Sequence, residues 1–369
     1  MTGYDDEGDL MPYHGKPRHP ATTKMPWWNP RYWGKRVWIG LAVVVAILIA
    51  IGVGVGVTVS KANAYPSYKQ LAYSLQDTYS GEKFFDQFNY WTTFDPAQGW
   101  IHYANPGDAK AFNLTYATKD SAVLRVDDVS GPGSERDAST GRLSVRVESK
   151  KTYDKGLFIF DVKHTPYGCA TWPALWLVDS ANWPQHGEID VLESINEGDD
   201  GNMMTLHTSS DCTMSGKRKM TGKALQDSCD SKVNHNAGCG VEGGKGSFGK
   251  AFNDKQGGVM AVEWRDDGIR MWQFARDGIP ADISGKKPTP DAWGTAAADF
   301  PNTHCSIGSK FSNNSIVANI DLCGELVEAS WKKSGCGGGK TCKQFVSDNP
   351  KEFSNAFWEF GAFEVYQAS

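Results

Sequence analysis

Three carboxylates stand close together in the segment Trp183-Pro-Gln-His-Gly-Glu-Ile-Asp-Val-Leu-Glu-Ser194. In a β-strand, Glu188 and Asp190 point to one face, whereas Ile189 points to the other. Strict alternation would send Glu193 to the apolar face, but a one-residue bulge returns it to the face of the other two acids. The segment therefore predicts a strand with a row of three carboxylates on one face and an apolar opposite face.

This row of acids points to catalysis, because neighbouring carboxylates repel one another and add nothing to stability. Retaining glycoside hydrolysis uses such a row: one carboxylate attacks the anomeric carbon, and a second, about 5–5.5 Å away, protonates the leaving oxygen. Two alternatives are a cation site and a surface helix, on which Glu188 and Glu193 would project about 140° apart as solvated charges. These residues alone leave the three interpretations open.

An uncharged apolar segment of 23 residues runs from Val37 to Val59. At about 1.5 Å per residue, such a helix crosses a hydrocarbon core of roughly 30 Å. More basic residues flank its N-terminal side than its C-terminal side, the former being Lys24, Arg31, Lys35 and Arg36 and the latter Lys61 and Lys69. This bias predicts a type II signal anchor with an extracytoplasmic catalytic domain. The alternative is a signal sequence that is cleaved near Ala64, which would release the protein.

The eight cysteines all follow the apolar segment, at positions Cys169, Cys212, Cys229, Cys239, Cys305, Cys323, Cys336 and Cys342. An even number on the exported side of a membrane predicts disulfide bonds, but the spacing assigns no pairing. No Cys-x-x-Cys pair with matching ligands is present, so we expect no zinc module and assign no metal-ligating residues. Asn113 and Asn313 each begin an Asn-x-Ser/Thr glycosylation acceptor.

The composition divides the chain into a disordered cytosolic tail (1–36), a membrane helix (37–60), a stem (61–72) and one globular domain (73–369). The aromatic content of 12% excludes disorder as the main state. The net charge of −5 offers no general attraction for nucleic acid, so we expect no nucleic-acid partner.

The globular part is mostly β in pattern, with short alternating runs such as Val259–Trp264 and Ile269–Phe274. Asp266-Asp-Gly268 lies between these two runs and predicts a hairpin turn. Because no βαβ rhythm occurs, the pattern predicts an all-β fold, a sandwich or a barrel.

The segment Glu188-Ile-Asp-Val-Leu-Glu193 matches the E-x-D-x-x-E signature of glycoside hydrolase family 16, and its bulged spacing resembles the laminarinase and endo-1,3(4)-β-glucanase branch. Further segments resemble the fungal members of that branch in the same order, namely Phe84–Phe88, Asp95–Pro96, Gly141–Arg146, Gly168–Trp176, Thr205–Thr208, Ala261–Trp264 and Asp291–Trp293. One departure follows Cys323, where Gly-Glu-Leu replaces the typical Gly-Asp-Trp and leaves the local loop and disulfide pattern open.

The resemblance implies a jelly roll of two antiparallel sheets, with a glucan-binding cleft across the concave face. It implies that Glu188 is the nucleophile, that Asp190 assists it and that Glu193 is the acid/base. It further implies sugar-binding roles for Trp176 and Trp183, with His207 on the neighbouring strand. Trp293 and Arg142 are weaker candidates, since Arg142 could equally be a structural ion-pair partner. Trp172 is assigned to the core.

The predicted function is a retaining endo-β-glucanase that cleaves β-1,3 or mixed β-1,3/1,4-glucan, with polysaccharide as its partner. A wall-remodelling transglycosylase would use the same carboxylates, and a glucan-binding sensor would need the cleft without the acids. The chemistry requires no cofactor; a structural calcium ion is compatible with the sequence but not demanded by it. We expect a monomer.

Overall fold

The computed structural model describes residues 28–62, 64–134 and 138–368. Most of the predicted tail, up to residue 27, therefore lies outside the described residues. The chain divides into two compact units, one ending at Lys61 and the other beginning at Ala62. Helix α1 (Lys35–Ala62) dominates the first unit. Its residues Lys35–Val57 have a mean hydropathy of 2.8 and none is buried, so by length and composition they suit a membrane span or a signal sequence.

The second unit is built mainly from β-strands, in agreement with the sequence pattern. They are β1 (Tyr73–Tyr79), β2 (Phe88–Tyr90), β3 (Ile101–Tyr103), β4 (Thr115–Ala117), β5 (Ala122–Arg125), β6 (Arg142–Ser144), β7 (Arg146–Tyr153), β8 (Gly156–His164), β9 (Thr171–Val178), β10 (Glu188–Glu193), β11 (Met203–His207), β12 (Lys223–Ala224), β13 (Val241–Glu242), β14 (Gly258–Arg265), β15 (Gly268–Ala275), β16 (Ala298–Pro301), β17 (Asn314–Leu322) and β18 (Phe357–Ala368). Short α-helices lie between them: α2 (Pro106–Ala111), α3 (Gly249–Asn253), α4 (Ala281–Ser284), α5 (Ile307–Lys310), α6 (Gly324–Ser330) and α7 (Cys342–Asp348).

Two eight-stranded antiparallel sheets contain most of these strands. The cleft sheet has the order β12-β13-β11-β10-β9-β17-β7-β2, and the back sheet has the order β16-β15-β14-β8-β18-β5-β4, with β1 also paired to β18. The predicted hairpin joins β14 to β15, where Arg265 pairs with Gly268. The predicted all-β sandwich of two antiparallel sheets is confirmed.

The main core lies between the two sheets, because alternate side chains of each sheet point inward. Leu175 and Ile189 of the cleft sheet and Phe158 and Phe160 of the back sheet are buried in this core. The opposite face of the back sheet carries a second, smaller cluster that includes Ile159. The outward face of the cleft sheet is consequently the one on which the acids of β10 lie.

Four disulfides pair all eight cysteines: Cys169–Cys336, Cys212–Cys305, Cys229–Cys239 and Cys323–Cys342. The last of these closes the segment that departs from the fungal pattern, where helix α6 follows Cys323 directly. The pairing was not assignable from the sequence, because it depends on which loops the two sheets bring together.

The predicted stem already contacts the folded domain before the expected boundary at residue 73. The hydroxyls of Tyr65 and Tyr68 donate to the two carboxylate oxygens of the buried Asp299, over 2.9 and 3.1 Å. The guanidinium of Arg270 lies 4.3 Å from the ring centre of Tyr68. This segment therefore belongs structurally to the second unit and is not a free linker.

Candidate active site

The carboxylate row lies on β10 with the predicted bulge. Asp190 pairs with Trp176 of β9 and Glu193 pairs with Ala174, and the register shifts between Asp190 and Leu192. Leu192 is fully buried, whereas Glu188 and Glu193 are both partly exposed on the other face. The bulge thus gives all three acids one face, as the sequence predicted.

Asp190 is buried between the two glutamates. Burial raises its pKa well above the usual range, and the charges of Glu188 and Glu193 and a hydrogen bond with Glu188 raise it further. This shift favours the protonated form of Asp190, which is the form that can donate a hydrogen bond to Glu188. A proton placed in this way lets three acids share one strand face without full mutual repulsion.

Glu193 has the environment that a general acid requires. Burial raises the pKa of Glu193, whereas a hydrogen bond from Trp172 and the charge of His207 lower it. The charge of Glu188 raises the pKa again, and the net shift is upward. The Trp172 indole Nε1 donates to Glu193 Oε1 over 2.7 Å. Trp172, which was assigned to the core, is partly buried and packs against the main core cluster, but its indole N–H also reaches an acid of the row.

Trp183 contacts the other end of the row. Its Nε1 donates to Glu188 Oε2 over 2.5 Å, and 41% of the residue is exposed. Hydrogen bonds to the Asp179 carboxylate hold the loop that carries Trp183. They come from Asn182 Nδ2 over 2.9 Å and from His186 Nδ1 over 2.7 Å. This exposed indole therefore combines an apolar ring face with a direct contact to the predicted nucleophile.

Trp176 lies beside Asp190 on the outward face of the cleft sheet. Its Nε1 donates to Asn319 Oδ1 over 2.8 Å, and the guanidinium of Arg146 lies 4.9 Å from its ring centre. Asn319 and Arg146 were missed in the sequence because each stands on a strand remote in sequence from β10. Alternation along β7 and β17, with polar residues between buried apolar ones, is the signal that could have found them.

His207 lies on β11 directly opposite Glu188, as predicted. Its Nε2 is 3.4 Å from Asp190 Oδ2, and its Nδ1 donates to Asn236 Oδ1 over 2.9 Å. Because a carbonyl oxygen only accepts, this bond requires an N–H on Nδ1, and it turns Nε2 toward the carboxylates. Asn236 follows two residues that, like it, have φ between 51° and 60°, in a loop closed by Cys229–Cys239.

Two predicted sugar contacts, Trp293 and Arg142, lie away from this face. Trp293 is packed on the outer face of the back sheet against Trp272, 5.3 Å between ring centres, and donates its Nε1 to Asp282. Arg142 is fully buried and donates to backbone carbonyls, including Val346 O over 2.6 Å. The predicted sugar-binding roles of both residues are therefore corrected. The loop that carries Trp293 packs it against the back sheet, and the buried Arg142 guanidinium is used up by backbone carbonyl groups.

Two groups of side chains have the spacing of metal ligands within the described residues. One contains Glu188, Asp190 and His207, whose ligand atoms lie within 4.8 Å of one another. The other contains Cys323 and Cys342, whose sulfurs are bonded to each other and so do not act as thiolate ligands. The first group consists of two members of the carboxylate row together with His207.

The two glycosylation acceptors differ in their surroundings. Asn113 and Asn313 are both exposed. Asn313 Nδ2 donates to Asp179 over 2.8 Å, and its backbone N–H donates to Asp154 over 2.9 Å. The nitrogen that would carry a glycan at Asn313 is therefore already used to hold Asp179, which supports the Trp183 loop.

A family model described as the XgeA-like, catalytic GH16 domain matches residues 88–366. Curated relatives include a probable glycosidase of Schizosaccharomyces pombe, 41% identical over 308 residues that make up 82% of this chain and 71% of the relative. An endo-1,3(4)-β-glucanase of Arthroderma benhamiae is 36% identical over 303 residues, 80% of this chain and 65% of that protein. The chain thus spans about two thirds of the length of these relatives.

Solved structures show the same likeness. Laminarinase 16A of Phanerochaete chrysosporium, with β-glucans in both donor and acceptor sites, matches with 40% identity and a TM-score of 0.76 over 80% of this chain and all of that chain. An elongating family 16 β-1,3-glucosyltransferase matches with 34% identity and a TM-score of 0.74 over the same shares. With the jelly-roll fold and the E-x-D-x-x-E strand in place, the chain belongs to glycoside hydrolase family 16.

Proposed function

We propose that this chain is a retaining endo-β-glucanase that hydrolyses β-1,3-glucan or mixed β-1,3/1,4-glucan. The observation that carries the proposal is the face of β10, on which Glu188, Asp190 and Glu193 stand in one row. The pKa values of Asp190 and Glu193 are both raised there. The indoles of Trp176 and Trp183 on the same face suit the apolar faces of glucose rings. The β-glucans in the matched laminarinase support this substrate class.

In the first step, the carboxylate of Glu188 attacks the anomeric carbon and forms a covalent glycosyl-enzyme. As the glycosidic C–O bond breaks, Glu193 transfers its proton to the leaving oxygen. The hydrogen bonds from Asp190 and Trp183 orient the Glu188 carboxylate and limit its basicity. The second step reverses these roles: Glu193 removes a proton from water, water attacks the same carbon and Glu188 is released.

The two carboxyl groups supply both the electron pair and the proton, so the mechanism uses no cofactor or metal. A transglycosylase would pass the same intermediate to a sugar hydroxyl. Because the chain is similar to an elongating β-1,3-glucosyltransferase, the experiment below also measures transfer products. A non-catalytic sensor would have no use for a nucleophile and an acid that each receive a hydrogen bond from an indole.

We further propose that α1 anchors the protein as a single-pass type II membrane protein with an extracytoplasmic catalytic domain. The positive charge that precedes the helix supports this orientation, and four disulfides suit an oxidising compartment. Cleavage near Ala64 would instead release a domain that starts at the docked Tyr65. We expect the catalytic domain to act as a monomer.

The function is tested with the full-length chain in detergent micelles, incubated with laminarin, barley mixed-linkage glucan and carboxymethylcellulose. We expect polymer length to fall and reducing ends to rise on the first two substrates. Glu188→Gln removes the nucleophile and should lower the rate by at least about 1,000-fold, or about 4 kcal/mol of activation free energy. Asp277→Asn, at an exposed carboxylate outside the cleft sheet, is the matched control.

Longer oligosaccharides without new reducing ends would instead identify a transglycosylase. Turnover that persists in Glu188→Gln would refute the catalytic assignment. Glucan binding without any product from the unmodified chain would leave the sensor as the remaining function.

A further inference from the structure

The bulge in β10 interrupts the regular pairing of this strand with β11. Asp190 pairs with Thr205 of β11. Three residues later, Glu193 pairs with Met203, so that two residues of β10 stand opposite one residue of β11. A bulge disrupts the hydrogen-bond ladder locally, and buried backbone N–H and C=O groups almost always have a partner. The bulge therefore creates a need for hydrogen-bond partners from outside the two strands.

The side chain of Asn202 meets this need. Its Oδ1 accepts from the backbone N–H of Glu193 over 3.0 Å, and its Nδ2 donates to the carbonyl oxygen of Val191 over 2.9 Å. A primary amide offers an acceptor and a donor from one planar group, so a single side chain spans the bulge. Asn202 is fully buried, and solvent therefore does not compete for these two bonds.

The backbone of Asn202 is itself held in place. Its N–H donates to Ser247 Oγ over 2.8 Å, and its carbonyl oxygen accepts from the N–H of Gly243 over 2.7 Å. Gly201, the preceding residue, has φ of 93°, and a Cβ atom there would lie 2.7 Å from the carbonyl oxygen of Gly244. Only glycine suits this close approach. The amide of Asn202 thus enters the bulge from a fixed backbone.

The bulge decides where the carboxyl group of Glu193 lies. Without the extra residue, alternation along β10 would turn Glu193 toward the core and Leu192 toward the outward face. In the structure Leu192 is fully buried, and Glu193 Oε1 accepts the hydrogen bond from Trp172. A residue that stabilises the bulge therefore also fixes the position of Glu193.

We propose that Asn202 is a positioning residue for Glu193, which it holds where the acid/base can protonate the leaving oxygen. The inference rests on the proposed β-glucanase function and adds to it a residue that does not contact the substrate. Glu188 precedes the bulge and pairs regularly with Val178 and His207. Loss of the Asn202 amide should therefore affect the acid/base much more than the nucleophile.

Two substrates separate these effects, and both are tested with the full-length chain in detergent micelles. Laminarin releases a sugar hydroxyl, which needs a proton from Glu193. Dinitrophenyl β-laminaribioside releases a stable phenolate, which leaves without a proton, although Glu188 must still attack. The value of kcat/KM on each substrate reports the step in which the glycosyl-enzyme forms.

Two variants remove the bonds of the Asn202 amide to different extents. Asn202→Ala removes both the acceptor and the donor. Asn202→Asp keeps an acceptor for the N–H of Glu193 and loses only the amide donor to Val191. If Asn202→Ala does not fold, Asn202→Asp decides the outcome.

Asn253 provides a matched control, because its amide makes the same pair of bonds elsewhere. Its Oδ1 accepts from the backbone N–H of Thr165 over 2.8 Å, and its Nδ2 donates to the carbonyl oxygen of Thr165 over 2.9 Å. These bonds join α3 to the residue that follows β8 of the back sheet. Asn253→Ala should lower Tm and leave kcat/KM unchanged on both substrates.

We expect the Asn202 variants to lower kcat/KM on laminarin about tenfold to hundredfold, since a displacement of about 1 Å is sufficient for such a loss. On the dinitrophenyl substrate they should stay within about threefold of the unmodified chain, because no general acid is needed there. Unchanged activity on laminarin would overturn the role of Asn202, and so would equal losses on the two substrates. If the unmodified chain cleaves neither substrate, the proposed function fails instead.

Discussion

The indole Nε1 of Trp172 donates a 2.7 Å hydrogen bond to Oε1 of Glu193, and both residues lie on the outward face of the cleft sheet. This bond favours the charged carboxylate and opposes the effect of burial on the pKa of Glu193. A tryptophan at this position therefore limits how strongly Glu193 holds its proton. This balance suits the acid/base role that we propose for Glu193, which donates a proton in one step and accepts one in the next.

Trp172→Phe tests that balance, because it keeps an aromatic ring and removes the N–H donor. The pKa of Glu193 should rise further, since the charged form loses a hydrogen bond. The fall in kcat at alkaline pH, which reports deprotonation of Glu193, should therefore move to higher pH. The pH dependence of kcat on laminarin measures this shift, and Trp272→Phe on the back sheet serves as control. An unchanged alkaline limb would contradict the role of Trp172.

Asn236 should act on the reaction through His207. Asn236→Ala removes the acceptor for His207 Nδ1–H, so we expect kcat to fall about tenfold with little change in KM. Asn236→Asp keeps an acceptor oxygen and should retain most of the activity. Asn234→Ala is a matched control, since φ is 51° at Asn234 and 60° at Asn236. Equal losses in the two alanine variants would assign the effect to backbone strain in the loop.

Asp179 should make the stability of the domain depend on pH under acidic conditions. Burial alone would raise its pKa, but hydrogen bonds from Asn313, Asn182, His186 and a backbone N–H lower it to about 2. Because the folded pKa lies below the ordinary value of 3.8, the stabilisation is complete above that value and is lost as pH falls toward 2.

Urea unfolding of the unmodified chain and of Asp179→Asn between pH 2 and 6 measures this contribution. The unmodified chain should be more stable above about pH 4, and the difference should shrink as pH falls. Asp277→Asn provides an exposed carboxylate for comparison. A stability difference that does not vary with pH would show that the charge of Asp179 is not responsible.

The Tyr68 hydroxyl should stabilise the catalytic domain, because it donates to a carboxylate that is fully buried. Tyr68→Phe removes one donor to Asp299 and leaves the ring that lies over Arg270. We expect a loss of about 1 to 2 kcal/mol, seen as a fall in Tm of a few degrees. Tyr116→Phe, in an exposed position on the back sheet, should leave Tm unchanged. Equal Tm values for Tyr68→Phe and the unmodified chain would mean that the docked segment contributes no stability.

Glycosylation should occur at Asn113 rather than at Asn313. Asn113 is exposed, whereas the side-chain nitrogen of Asn313 donates to Asp179. In a glycosylating host, Asn113→Gln should remove glycan mass, and Asn313→Gln should leave the mass of the glycans unchanged. Mass spectrometry before and after enzymatic deglycosylation checks both outcomes, and a glycan found on Asn313 would contradict the expectation.

The local sequence pattern was sufficient to predict strand β10 and its bulge. The side chains of Glu188, Asp190 and Glu193 follow the period of one strand, and a single extra residue corrects their register. The turn at Asp266–Gly268 and the apolar helix near the N-terminus are also short-range features. Each of these predictions used residues close together in the chain, where backbone geometry alone decides the arrangement.

Tertiary structure decided which aromatic residues reach the acids. Trp172 donates to Glu193, whereas Trp293 lies in the cluster on the outer face of the back sheet. The sheet on which each ring packs depends on pairings between strands far apart in sequence. Arg146 and Asn319 join the cleft for the same reason, and so do the disulfide pairs. Alternation along one strand was enough to predict that Glu188, Asp190 and Glu193 lie together on one face of the sheet. Its surroundings depend on which strands lie side by side, and contacts between segments far apart in the chain decide that.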